Sequence, residues 1–119
     1  MKDFIPYELA KILEAKGFDN DFNYGYNDKG DICVPVYNID EDQLMTMTPC
    51  PEIHEVLKWL REKKNIEVVA SFSYRDRVWG YQVGDMTLSE DSILAYDYSL
   101  PTYEQATIEG IKYVVDNLI

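Results

Sequence analysis

Cys50 and His54 stand four residues apart, the spacing that sets two side chains on one face of a helix. A thiolate at a helix start is favoured by the positive end of the helix dipole, and a histidine beside it can take the proton. The pair therefore reads as a candidate dyad for a small thiol enzyme. Such a nucleophile also needs a group to orient its base and donors for an oxyanion, and no pattern in the chain supplies them. The plainer reading makes Cys50 a first-turn packing residue and His54 a surface residue. With Cys33 and a carboxylate the same side chains are zinc-ligand types, yet the closely spaced ligand pairs of a zinc site are missing. Asp40, Glu41, Asp42, Asp85, Glu90 and Asp91 could offer oxygens to calcium or magnesium. They lack the alternating ligands and central glycine of a calcium loop and read as solvated loops. No glycine-rich phosphate cradle or nucleophile elbow occurs. The expectation is a chain with no catalytic residue, no metal and no cofactor.

Ten tyrosines and two tryptophans invite a stacking platform for bases, sugars or peptides. The strand pairing argued below instead places Phe72, Trp79 and Tyr81 on a face that helices must cover. Trp59 sits at the edge of its helix stripe and is the candidate exposed interaction residue.

The elements that must position these groups follow from periodicity. Ile5, Leu9, Ile12 and Leu13 recur at helical spacing between Asp3 and Gly17, with Pro6 tolerable in the first turn. Phe22, Tyr24 and Tyr26 then alternate with Asn23 and Gly25, and the turn cluster Asn27-Asp28-Lys29-Gly30 leads to the alternating set Ile32, Val34 and Val36, a hairpin whose Pro35 belongs toward a sheet edge. Asn38 to Met47 reads as an exposed loop. Thr48 reads as the cap of a second helix that runs to about Lys64, with Ile53, Val56, Leu57 and Leu60 as its apolar stripe and Asn65 ending it. A turn at Tyr74-Arg75-Asp76-Arg77 sets Phe72 opposite Trp79, Ala70 opposite Tyr81 and Val68 opposite Val83, with Ser71, Ser73, Gly80 and Gln82 on the other, polar face. Ile93 to Tyr98 reads as a further strand. Thr102 and Gln105 form a capping box for a last helix whose stripe is Ile108, Ile111, Val114, Val115 and Leu118. Gly110 inside it implies a close approach to the sheet.

These elements make an α+β fold, an antiparallel sheet of three to five strands with three helices packed on one face. At 119 residues the chain reads as a single globular domain, 1–119. Hydrophobic residues at 46% and charged residues at 28% exclude a disordered or fibrous class. A net charge of −11 repels phosphates and anionic lipid surfaces, so no direct nucleic-acid binding is expected. The basic residues Lys58, Arg61, Lys63, Lys64, Arg75 and Arg77 fall in one stretch. No apolar run is long enough to cross a bilayer and no export signal is read. A cytoplasmic location follows, with Cys33 and Cys50 as reduced thiols and a bridge between them as the open alternative.

The run Pro49 to Glu62, ending Lys58-Trp59-Leu60-Arg61-Glu62, is followed by Asn65-Ile66-Glu67-Val68, by Trp79-Gly80-Tyr81 and by Pro101-Thr102-Tyr103-Glu104-Gln105-Ala106 with Gly110-Ile111. Together with Leu9 to Phe18, these resemble small uncharacterised proteins encoded by phages, prophages and mobile elements of gut anaerobic bacteria. The resemblance covers most of the chain and implies a genomic setting in a bacterial host cell rather than an activity. The loop from Asn38 to Met47 departs most from the group.

The function expected is a non-enzymatic protein-interaction module with another protein as its partner. One alternative is an acidic decoy that imitates nucleic-acid charge. Another is the thiol enzyme using Cys50 and His54. Self-association into a homo-oligomer through a strand edge or Trp59 is also open.

Overall fold

A computed structural model describes residues 4–18, 24–26, 47–87 and 93–119, and the backbone of 33–35. The chain divides into two units, Met1–Glu52 and Ile53–Ile119. Their architecture is α+β, with antiparallel sheets.

In the first unit, helix α1 spans Tyr7–Ala15 behind Pro6, and Gly17 at φ +96° stops it. It buries Leu9, Ala10 and Leu13, whereas Ile12, expected in the same stripe, is 38% exposed. Strands β1 (Tyr24–Tyr26), β2 (Cys33–Pro35) and β3 (Thr48–Pro49) form a sheet in the order β2-β1-β3. Tyr24 pairs with Pro35 and Tyr26 with Cys33, so among the described residues Pro35 lies on an edge strand, where a missing donor is tolerated.

Thr48 does not cap a helix. It pairs with Tyr26, and Pro49 pairs with Gly25. Pro51 biases the residue before it toward extended backbone, and Pro49 and Pro51 both lack a donor, so this stretch stays extended until the next helix begins at Ile53. The expected turn at Asn27–Gly30 and the loop at 38–46 lie outside the described residues.

The second unit runs helix α2 (Ile53–Lys64), strands β4 (Ile66–Ser73), β5 (Val78–Asp85) and β6 (Ile93–Leu100), and helix α3 (Tyr103–Asn117). Asn65, at φ 56°, ends α2 in the left-handed conformation. The β4–β5 hairpin has the register its turn dictates, with Phe72 opposite Trp79, Ala70 opposite Tyr81 and Val68 opposite Val83. β6 joins the free side of β5, giving the order β4-β5-β6.

One face of this sheet carries Ile66, Val68, Tyr81 and Val83, all buried with Val56, Leu60, Ile111 and Val114 of the two helices. The Thr102 hydroxyl accepts the Gln105 amide at 3.1 Å, which is half of the expected capping box. The stripe of α3 is turned slightly from expectation. Thr107 and Gly110 are buried, and Ile108 and Leu118 are only half-buried. Gly110 sits so close to the sheet that a Cβ there would lie 2.5 Å from Val68 Cγ1.

Candidate interaction surface

Cys50 lies just after β3 rather than in a helix, and its amide donates to the Tyr24 carbonyl at 2.9 Å. It is 2% exposed and disulfide-bonded. The expectation of a reduced thiol is therefore corrected, and in this state Cys50 offers no thiolate to a base or a metal. The β2-β1-β3 sheet draws distant segments together in a way that sequence spacing does not reveal.

His54 is exposed in the first turn of α2. Trp59 is also corrected: it is buried at 6% exposure, with the Lys64 ammonium 5.4 Å from its ring centroid. Together with Val56 and Leu60 it completes a stripe rotated away from Leu57, which is only half-buried. Asp85 turns its carboxylate onto its own turn, accepting from the Thr87 amide at 2.9 Å and hydroxyl at 2.6 Å. Those bonds hold its carboxyl below the usual range.

The strand alternation that buries Val68, Tyr81 and Val83 aims the intervening residues at the opposite, outer face. Cross-strand registers there bring Val69 beside Gln82 and Gln82 beside Tyr96. The ring of Tyr98 lies over Gly80. Its hydroxyl is 2.9 Å from Ser71 Oγ and accepts from Gln82 Nε2 at 3.2 Å. Around this platform Val69, Ile93, Leu94 and Tyr96 are 45%, 56%, 40% and 72% exposed. Gln82, Ile93, Leu94, Ala95, Tyr96 and Tyr98 line a groove of about 740 Å³.

The β6 side of the sheet also has an electrostatic character. The three strands contain Glu67, Asp85 and Asp97 and no lysine, arginine or histidine. Asp97 is exposed on β6 and accepts the Ser99 hydroxyl at 2.7 Å. Glu109 of α3 makes a half-exposed ion pair with Lys112 at 3.5 Å, a contact of little strength in water. Burial, followed by the negative charge of Asp97 and Glu109, pushes the Tyr81 hydroxyl above its ordinary pKa.

A second aromatic group lies toward the β4–β5 turn, where rings meet edge to face in the order Tyr74, Phe72, Trp79, Tyr103. Their centroid separations are 5.2, 5.3 and 5.6 Å. Phe72 and Trp79 are half-buried here, so of the three aromatics expected in the core only Tyr81 is fully covered.

The outer face was expected to be polar from Ser71, Ser73, Gly80 and Gln82. Its apolar side chains are Val69 of β4 and, above all, Ile93, Leu94 and Tyr96 of β6. The alternating Leu94, Tyr96 and Tyr98 were the only sequence signal of that last strand. No family model, curated protein or solved structure matches this chain.

Proposed function

We propose that the chain is a non-enzymatic protein-interaction module that engages another protein through the outer face of the β4–β5–β6 sheet, at its β6 side. One observation carries this reading: Ile93, Leu94 and Tyr96 stand exposed along a groove on this sheet face, with Val69 exposed as well, on β4. Apolar side chains gathered in one patch, unlike apolar residues scattered singly, mark interaction surfaces. Tyrosines add broad contact area at low entropic cost. A phage or mobile-element origin, implied by the sequence resemblance, belongs to the same proposal and would make the partner a protein of the bacterial host or of the element.

The test places a photo-crosslinking amino acid at position 96 and, in a second preparation, at position 58 on α2. A protein that crosslinks from position 96 and is lost on Leu94→Asp, with the melting transition retained, supports the reading. Crosslinking that is equal from both positions, or survives Leu94→Asp, removes it. So does substrate turnover that Leu94→Asp leaves intact.

A further inference from the structure

We infer that the occupant of this surface is an extended, lysine- or arginine-bearing segment of a partner protein, which adds to β6 as a fourth strand. The inference rests on the protein-binding reading and names the chemistry of the partner.

Among the described residues β6 pairs on one side only. The backbone donors and acceptors on the other side of a last strand are a template for a further strand. Natural edge strands are blunted with lysine, proline or bulges. β6 has neither lysine nor proline, and what blunts it is its single charge, Asp97, and two bulge-like irregularities that leave only its middle open to a further strand. Its pairing with β5 is irregular between Asp97 and Leu100 and between Ile93 and Ala95. The regular stretch, Ala95–Asp97, is therefore short, and side-chain contacts must supply the rest of the affinity.

Those contacts differ on the two sides of an added strand, because its side chains alternate. On the outer side they meet Tyr96, Leu94 and the groove. On the helix side they meet Asp97, with Glu109 near enough that both carboxylates act on Tyr81. An added strand that alternates apolar with basic side chains satisfies both at once. The acidic chain, at −11 overall, attracts such a segment at long range. It repels a second copy of itself, whose β6 would bring another Asp97 to the same edge.

The probe is an acetylated and amidated peptide of alternating lysine and valine, titrated into the isotope-labelled full chain and followed through backbone amide resonances. Amides of Ala95, Tyr96 and Asp97 should shift. Binding should weaken about tenfold with Asp97→Asn, fall as salt is raised, and vanish when alternate peptide nitrogens are methylated, which removes the donors of one edge. Equal binding of a glutamate–valine peptide would overturn the inference, as would indifference to methylation or shifts confined to the Tyr74–Arg77 turn. Light scattering that shows a dimer broken by Leu94→Asp would assign the edge to a second copy and also overturn it. A partner crosslinked from position 96 while the lysine–valine peptide fails to bind would sink the strand-addition inference alone. Absence of both would remove the interaction reading as well.

Discussion

The Tyr98 hydroxyl on β6 lies 2.9 Å from Ser71 Oγ on β4, and the ring that links them passes over Gly80 of the strand between. Adjacent strands are about 4.8 Å apart, so a side chain from one edge reaches the other only if the middle strand presents no side chain beneath it. A Cβ at position 80 would collide with both the Tyr98 ring and the Asp97 carbonyl. The ring can swing away, but the backbone carbonyl cannot do so cheaply.

Gly80→Ala should therefore destabilise the protein by about 2–3 kcal/mol, the upper range for overpacking. Tyr98→Phe removes only the hydroxyl's bonds and should cost about 1 kcal/mol. Urea unfolding of the two variants measures the order. An equal or smaller loss in Gly80→Ala would show that the ring does not rest on the strand.

Gly110 poses the opposite question to helix propensity. Alanine is preferred in a helix interior by about 1 kcal/mol, so on propensity alone Gly110→Ala stabilises. The new methyl, however, would lie 2.5 Å from Val68 Cγ1 and 3.2 Å from the Tyr81 ring, and a β-branched neighbour cannot rotate freely away. The clash should win, with a net loss of about 1–2 kcal/mol. Val68→Ala in the same chain should recover part of it, and a double-mutant cycle with no coupling would refute the close approach.

What the sequence made legible is local. The β4–β5 register follows from one four-residue turn, the Thr102–Gln105 cap from residues three apart, and the tight packing at Gly110 from a residue that disfavours helices. What it hid depends on chain segments far apart. β3 is recognisable only through its pairing with β1, and the disulfide at Cys50 only through the partner that the fold brings to it. Trp59 was misplaced because a stripe can rotate by one position without any change in spacing. The candidate surface was half visible: Gln82 and Ser71 were placed on the outer face, but the apolar contribution of Tyr96, Ile93 and Leu94 waits on the position of β6.

The disulfide at Cys50 carries a stability prediction. A crosslink restricts the unfolded chain and is worth about 2–4 kcal/mol in most proteins. Cys50→Ser, or reduction, should lower the unfolding free energy obtained from urea titration by an amount in that range. Held in a disulfide, Cys50 should resist alkylation without reductant even in the unfolded chain. Rapid alkylation without reductant would show that the sulfur is a free thiol in solution.

Tyr81 and Tyr26 make the last prediction, one of pH. Burial raises both phenols above the ordinary value, and Asp97 and Glu109 raise Tyr81 further. The Tyr26 hydroxyl donates to the Ile5 carbonyl at 2.6 Å, a bond that exists only while the proton is held. A phenol whose folded pKa is raised binds its proton more tightly in the folded chain. Its stabilising contribution is complete below the unfolded value of about 10 and is lost as pH rises from there through the folded value. Unfolding free energy should accordingly fall across the alkaline range. Asp97→Asn removes one of the negative charges that oppose ionisation, so phenolate absorbance should develop at lower pH than in the parent chain. An unchanged absorbance titration in that variant would mean that Asp97 does not face Tyr81, and would take the carboxylate rim away from the β6 edge.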